Sequence, residues 1–373
     1  MSGLEDLRRA AAEARAVRPG VPLALATLHA VDGSSYRQPG ARLLVDADGR
    51  VLAGAVSGGC LEGDIAAHAA AVCASGVPRR LTYDLRDDLQ TIWGFGAMCD
   101  GVAHLLLEPF GDGAWLDTAC AERAARTPGT LITVLEESIE ESTPGGTRSL
   151  ASCDASLRAA LAADIDAAHH TAHSVSTVVT VHNATVRCFV DPVLPPVSLV
   201  LVGAGRGADA FAQIALTLGW RVTLIDHRAF VLSSLSLPDA VTRIVARAED
   251  EAAAFPTDAR TAVALLTHQF AIDTEWLRRV LPLPVGYVGV LGSRHRATQL
   301  LDTLERSGFP ITPRMTQLLH APIGLDLGGE SPESIALAAV AEIEAVMHGR
   351  PGGALRERQS PIHSRTPTPH VAS

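Results

Sequence analysis

Nowhere in these 373 residues does an apolar run approach the roughly 20 residues needed to cross a bilayer as a helix. The N-terminal MSGLEDLRRAAAEARAVRPG reads as a charged amphipathic helix without the apolar centre of a secretory signal. Stable membrane insertion is not expected, and the chain reads as cytoplasmic. The six cysteines form no Cys-x-x-Cys pair and no regular short spacing, which argues against a disulfide framework and a zinc finger and for reduced thiols. Positive charge is also scarce. Thirty-one basic against 41 acidic residues leave a formal net charge of −10, so no broad nucleic-acid surface is expected, although local arginines can still hold a small anion. The sequence contains no internal repeat.

What the chain does have is length and apolar content, 47% hydrophobic, enough for two ordinary cores and a tail. After the opening helix, VPLALATLHAVDGSSYRQPGARLLVDADGRVLAGAVSGGC strings β-rich runs between DGSS, QPG and DADG turns, as successive strands do. The pattern predicts a helix over about 62–73 and strands at 80–85, 101–107 and 129–135. A polar loop then runs through EESIEESTPGGTRSLASCDAS, followed by a helix near 157–168 and paired strands at 176–181 and 185–190. DPVLPP, from Asp191 to Pro196, places three prolines in six residues and marks a stiff linker. Beyond it, SLVLVGAG, RGADAFAQIALTLG and WRVTLIDHR alternate strand, glycine turn, helix and strand, the order of a parallel α/β domain. The expected fold is therefore a mixed α/β N-terminal domain (1–192) followed by a Rossmann-like parallel-sheet domain (197–349). Residues 350–373, rich in breakers and without an apolar period, read as a disordered tail.

Two cysteines sit in glycine-rich settings. Cys60 lies in AVSGGCLEGDIAAH, where Gly58 and Gly59 lead into what reads as a helix start. A thiol at a helix N-terminus is favoured as thiolate and gains affinity for soft metals, and the glycine pair permits close backbone approach. Cys99 occupies a similar setting in WGFGAMCDG. The competing reading for either is a small buried apolar side chain. Glu62 reads as a first-turn carboxylate complementing the helix dipole. Cys73, Cys120, Cys153 and Cys188 fall on predicted helices, strands or loops and read as structural.

In the second half, Gly203, Gly205 and Ala208 form GxGxxA between a strand and a helix, with Gly207 in the same turn and Asp226 ending the next strand. The first glycine allows a tight turn and the second lets backbone approach a pyrophosphate, while Asp226 is placed to accept from a ribose. A Rossmann-like sheet with a vacant or repurposed crevice is the plainer alternative. Arg206 and Arg228 leave room for a phosphorylated pterin or a dinucleotide, so the NAD(P) question stays open. Thr267, His268 and Asp273 in LTHQFAID follow a strand, with His268 the candidate for a polar or proton-transfer role, the competing reading being a surface histidine without a task. Gly292, Ser293 and Arg294 in VGVLGSRHR form another glycine turn, whose amides and guanidinium suit an anion. Ser331 and Pro332 read as a helix cap and first-turn proline.

Seven segments in order, GSSYRQPGARLLV, GAVSGGCLEGDI, WGFGAMCDG, VGAGRGA, LTHQFAIDTEWL, GYVGVLGSRHR and APIGLDLGGESPESIALAAVAEI, give the chain a resemblance to the XdhC/CoxI family of molybdenum-cofactor maturation proteins. The resemblance implies a xanthine dehydrogenase accessory chaperone. Such a protein binds and protects molybdenum cofactor (molybdopterin), assists exchange of an oxo for a sulfido ligand, and delivers the cofactor to an apo molybdenum hydroxylase, with little turnover chemistry of its own. It also implies a cysteine desulfurase as sulfur source and a homodimer. Cys60 and Cys99 become the expected metal ligands. Arg37 and Arg42, flanking Gln38-Pro39-Gly40, have planar guanidinium groups suited to bidentate contact with the pterin phosphate, the competing reading being solvated or internally salt-bridged arginines, while Ser34 and Ser35 either add hydroxyl contacts or cap the turn. One departure stands out: where the family tends to read GCGG, this chain reads Met98-Cys99-Asp100-Gly101, which adds negative charge beside the second thiol. Two other functions compete: an NAD(P)-linked oxidoreductase using the Gly203 loop with His268 as acid or base, and a non-catalytic scaffold between hydroxylase and desulfurase.

Overall fold

The computed structural model describes residues 3–33, 35–86, 101–137 and 145–359. The chain divides into two units, Met1–Pro195 with Arg358–Ser373, and Pro196–Glu357. Elements of the first unit, in chain order, are α1 (Gly3–Val17), β1 (Leu23–Gly33), β2 (Arg42–Asp46), β3 (Val51–Gly54), α2 (Glu62–Ser75), β4 (Arg79–Asp84) and β5 (Gly101–Pro109). They continue with α3 (Ala114–Ala124), β6 (Gly129–Glu137), β7 (Gly146–Ser149), α4 (Ala155–Ala160), α5 (Ala162–Thr171), β8 (Val175–Val181) and β9 (Ala184–Val193).

Two antiparallel sheets result, ordered β3-β2-β1-β5-β4 and β7-β6-β9-β8. The first is covered on both faces, and the period-2 alternation of β1 shows how. Ala24, Ala26 and Leu28 pack with Ile65, Ala69 and Val72 of α2, whereas Leu23 and Leu25 pack with Leu7 of α1 and Leu116 and Cys120 of α3. Each such leucine removed from water contributes roughly 1.5–3 kcal/mol. In the second sheet, Ile132, Val134, Cys188 and Val190 meet Leu157, Leu161 and Ala168 of α4 and α5.

Two local expectations change. The helix near 157–168 is broken at Leu161, which takes φ −90° and ψ 0° between α4 and α5. Within the expected loop, 146–149 form β7, paired to β6 and held by Glu108, whose buried carboxylate accepts from the Thr147 N–H and hydroxyl, both at 2.6 Å. The linker's Asp191-Pro192 also remains in β9. Beyond Val190 that strand has β6 alone as its neighbour, so a proline without an N–H is tolerated on the open side.

The second unit contains β10 (Ser198–Val202), α6 (Ala208–Thr217), β11 (Arg221–Asp226), α7 (Ala229–Ser234), β12 (Val241–Val245), β13 (Thr261–Leu265) and α8 (Phe270–Val280). It closes with β14 (Tyr287–Val290), α9 (Arg294–Arg306), α10 (Pro313–Leu318), β15 (Leu319–His320) and α11 (Pro332–Met347). The six strands are parallel in the order β12-β11-β10-β13-β14-β15, so the strand order reverses at β10. Both faces are buried, as a parallel sheet requires. Leu199 and Leu201 face Phe211, Ala336 and Val340; Val200 and Val202 face Trp276, Leu277 and Leu300. Ser331 caps α11 by accepting from the Ser334 N–H at 3.2 Å, with Pro332 in the first turn. The expected architecture, a mixed α/β region followed by a Rossmann-like parallel sheet, is the one found. Among the described residues no helix is long and apolar enough to cross a membrane.

Candidate functional site

In the first unit the segment from Val56 to Leu61 is folded around one carboxylate. Glu62 opens α2 and turns back, accepting from the N–H groups of Val56 (3.1 Å), Ser57 (2.8 Å) and Leu61 (3.2 Å) and from the Ser57 hydroxyl. Ser57 Oγ in turn accepts from the amides of Gly59 and Leu61, both at 3.1 Å. Burial alone would push the Glu62 carboxyl up, but the Ser57 hydroxyl and these amides outweigh it and hold the group below the usual range. The loop is thus fixed before any ligand arrives. Gly59 takes φ +111° with open space where a side chain would stand. Cys60, half-buried, joins the edge of the α2 core.

Beside this loop stands an aromatic that sequence reasoning passed over. Tyr36 is 66% exposed, and a Cβ built on Gly58 would lie 3.7 Å from its Cγ, so the ring rests on the glycine. The Arg37 guanidinium stacks at 5.7 Å from the Tyr36 ring centroid. Arg37, Tyr36, Gly58, Gly59 and Cys60 are thereby brought into one neighbourhood. Arg42 is not exposed there. It is buried, with Nη1 2.7 Å from Asp191 Oδ2 and 3.2 Å from the Gly40 carbonyl, while its Nε and Nη2 have no hydrogen-bond partner among the described residues. Of the two arginines flanking the Gln38-Pro39-Gly40 turn, Arg37 is the one open to a ligand and Arg42 the one tied into the fold.

Cys99 and Ser34 lie outside the described residues. Cys120 and Cys153 are buried, Cys73 partly so, and burial pushes all three thiols up, Cys120 to about 11. Among the described residues no group of three or more His, Cys, Asp or Glu is arranged to hold a metal ion.

In the second unit, glycine-loop residues and the motifs after β13 and β14 meet at the carboxyl edge of the sheet. A Cβ on Gly203, whose φ is +108°, would lie 2.9 Å from the Thr267 amide nitrogen, so this position needs glycine for close approach of two backbones. At Gly205 the nearest atom would be the Leu266 carbonyl oxygen at 3.7 Å, whereas at Gly207 it would be Pro332 Cβ at 3.2 Å. Gly207 therefore serves the approach of α11 to α6.

Asp226 is buried, and its carboxylate is engaged by Arg228 and by the Ala204 N–H. Burial would raise this group, but the Arg228 guanidinium and the two backbone amides prevail and hold it at about 2. His268 sits exposed at a loop tip with φ +56°. Its neighbours are more engaged: Thr267 donates to Asp273 Oδ1 at 2.5 Å, and Asp273, fully buried, pairs with Arg296 at 2.7 Å. That ion pair joins LTHQFAID to GSRHR through Arg296, two residues beyond the last position that the motif singles out. Ser293 caps α9, accepting from the Arg296 N–H at 3.2 Å, and Arg294 is exposed beside it. A cavity of about 200 Å³ is lined by Gly203 and Asp226 and by Trp276 of α8.

Comparison with known proteins gives two family matches, one described as the XdhC and CoxI family over residues 16–84 and one as the XdhC Rossmann domain over 199–343. A Bacillus subtilis protein, named as a probable subunit of xanthine dehydrogenase, is 29% identical over 325 residues, covering 86% of this chain and 91% of the relative. The Escherichia coli molybdenum cofactor insertion chaperone PaoD is 25% identical over 331 residues, 89% and 85% of the two chains. A crystal structure described as a xanthine dehydrogenase from Bacillus halodurans superposes with a TM-score of 0.68 at 26% identity, covering 94% of this chain and 97% of the other.

Proposed function

This chain belongs to the XdhC and CoxI family, and from that premise we propose that it is an accessory protein of a xanthine dehydrogenase-type molybdenum hydroxylase. It takes molybdenum cofactor as cargo, shields it, assists exchange of an oxo for a sulfido ligand, and delivers it to the apo hydroxylase. The names of the B. subtilis and E. coli relatives support the cargo and the partner class. The observation that carries the reading is the prearranged Cys60 loop with Arg37 seated on Tyr36 above Gly58.

The donor set suits such a cargo. Cys60 offers a soft sulfur donor to a metal already held by its own organic ligand, and Cys99 is proposed as a second. Arg37 presents a planar guanidinium for a phosphate. Gly58 and Gly59 keep the surface free of side chains, and the bonds from Ser57 and Glu62 stop the loop from reorganising on binding. Serving the Arg42–Asp191 pair, Arg42 contributes by holding the Gly40 turn on which Arg37 is mounted. The sulfido ligand requires a sulfur donor, for which a cysteine desulfurase is the proposed partner, and the proposed working form is a cytoplasmic homodimer.

A strain lacking this chain tests the reading directly. It should accumulate assembled hydroxylase that lacks sulfurated molybdenum cofactor, restored by the wild-type chain and poorly by Cys60→Ala. Fully sulfurated, active hydroxylase in the deletion strain refutes the proposal.

A further inference from the structure

In the second unit, the carboxylate expected to read ribose hydroxyls is already saturated by the protein. Asp226 Oδ1 accepts from the Arg228 backbone N–H and Nε, both at 2.9 Å; Oδ2 accepts from Arg228 Nη2 and the Ala204 N–H, both at 2.7 Å. A carboxylate offers about four acceptor positions, and here all are filled. The Asp226 side chain is 2% exposed while that of Arg228 is 41% exposed. A ligand entering the crevice therefore meets a guanidinium edge, the geometry that suits phosphate oxygens, and no vacant acceptor for a vicinal diol.

The cavity beside it has the walls of a base pocket. Ala246, Ala248, Ile272 and Trp276 line it together with Arg228 and Arg247. At about 200 Å³ it is smaller than the roughly 300–1,000 Å³ of a site that encloses a whole drug-sized ligand, so it admits one end of a nucleotide. Arg247 is exposed, gives its backbone N–H to Asp250 at 2.7 Å, and its guanidinium makes no bond among the described residues. The two further acidic residues lining the cavity, Glu249 and Glu275, are acceptors for an exocyclic amine; Glu275 also lies 3.6 Å from Arg278. The chain contains no lysine, so a phosphate here is read by the forked, bidentate geometry of arginine rather than by a point charge.

We propose that this crevice binds an adenine nucleotide carrying a phosphomonoester on the ribose beside the base, held by Arg228 and Arg247, and discriminates against the same nucleotide with a free ribose diol. All of the residues that line this cavity belong to the second unit. The phosphate at the 2′ position belongs to the NADP type of ligand and at the 3′ position to the coenzyme A type.

Isothermal titration of the full chain with 2′,5′-ADP, 3′,5′-ADP and 5′-AMP, the last being either bisphosphate without its ribose phosphomonoester, separates these. One bisphosphate should bind at least tenfold tighter than 5′-AMP, and which one identifies the type. Arg228→Ala frees two acceptor positions on Asp226, so it should weaken that bisphosphate at least tenfold while tightening 5′-AMP. Arg247→Ala, at an exposed side chain without structural bonds, should weaken the bisphosphate several-fold and keeps the test valid should Arg228→Ala fail to fold. Equal or tighter binding of 5′-AMP to the wild type, no binding of any of the three, or an unaltered affinity in Arg247→Ala overturns the proposal.

Discussion

Replacing Glu62 with alanine removes the acceptor for three backbone N–H groups and one hydroxyl at once. Each donor deprived of its partner in a buried setting costs about 1–3 kcal/mol, but this loop is partly solvated. Val56 and Ser57 are buried whereas Gly58 and Gly59 are exposed, so water recovers part of the loss. The net expectation is about 2 kcal/mol. For a unit of this size, each kcal/mol moves a thermal midpoint by roughly 2–4 °C, giving a fall of about 4–8 °C for the first unit. Glu62→Gln keeps one carbonyl acceptor but turns an NH₂ toward N–H donors, and should recover less than half of that. The sign with pH follows from the lowered carboxyl. The stabilisation is present above the unfolded value, near 4.5, and fades as pH falls through the lower folded value, so wild type and Glu62→Ala should converge in acid. Calorimetry at about pH 7 and about pH 3.5, with Cys60 alkylation rates as a local probe, checks this. A Glu62→Ala midpoint within about 1 °C of wild type at neutral pH, with Cys60 alkylated at the wild-type rate, would refute the clamp.

Asp191→Ala should be more damaging, about 3–5 kcal/mol, because it strands the buried Arg42 guanidinium; denaturant melts would reveal it. Arg37→Ala, at an exposed side chain, should stay within about 0.5 kcal/mol of wild type in the same melts while weakening cofactor binding about tenfold. Gly203→Ala should cost about 1–3 kcal/mol, since the new Cβ meets the Thr267 backbone at 2.9 Å in a left-handed conformation, whereas Gly205→Ala, with only a 3.7 Å contact, should melt much closer to wild type. Asp226, held at about 2, stabilises above its unfolded value near 3.8 and loses that contribution as pH falls toward 2. Asp226→Asn should therefore flatten the acid limb of the second unit's stability profile.

The parallel sheet was legible because both its faces are buried, so SLVLV and TAVAL appear as unbroken apolar runs punctuated by glycine turns. β7 was not, because GTRS has no apolar alternation and is stabilised by a long-range contact with Glu108. The same division holds at the sites. Cys60, Gly58 and Gly59 announce themselves by local pattern, but Tyr36 matters through a ring set on Gly58, which no spacing encodes. Asp226 ends its strand as the motif requires, yet Arg228, two residues on, folds back to fill it. Arg37 and Arg42 look equivalent across a turn and diverge only because Arg42 begins β2 and points at Asp191.

Anaerobic equilibrium binding of molybdenum cofactor to the wild-type chain and to Cys60→Ser, with matched thermal melts, tests the central claim most directly. The account predicts saturable binding by wild type and at least a tenfold loss in Cys60→Ser at unchanged melting temperature. Equal affinities, or a wild-type chain that does not bind the cofactor, would contradict it.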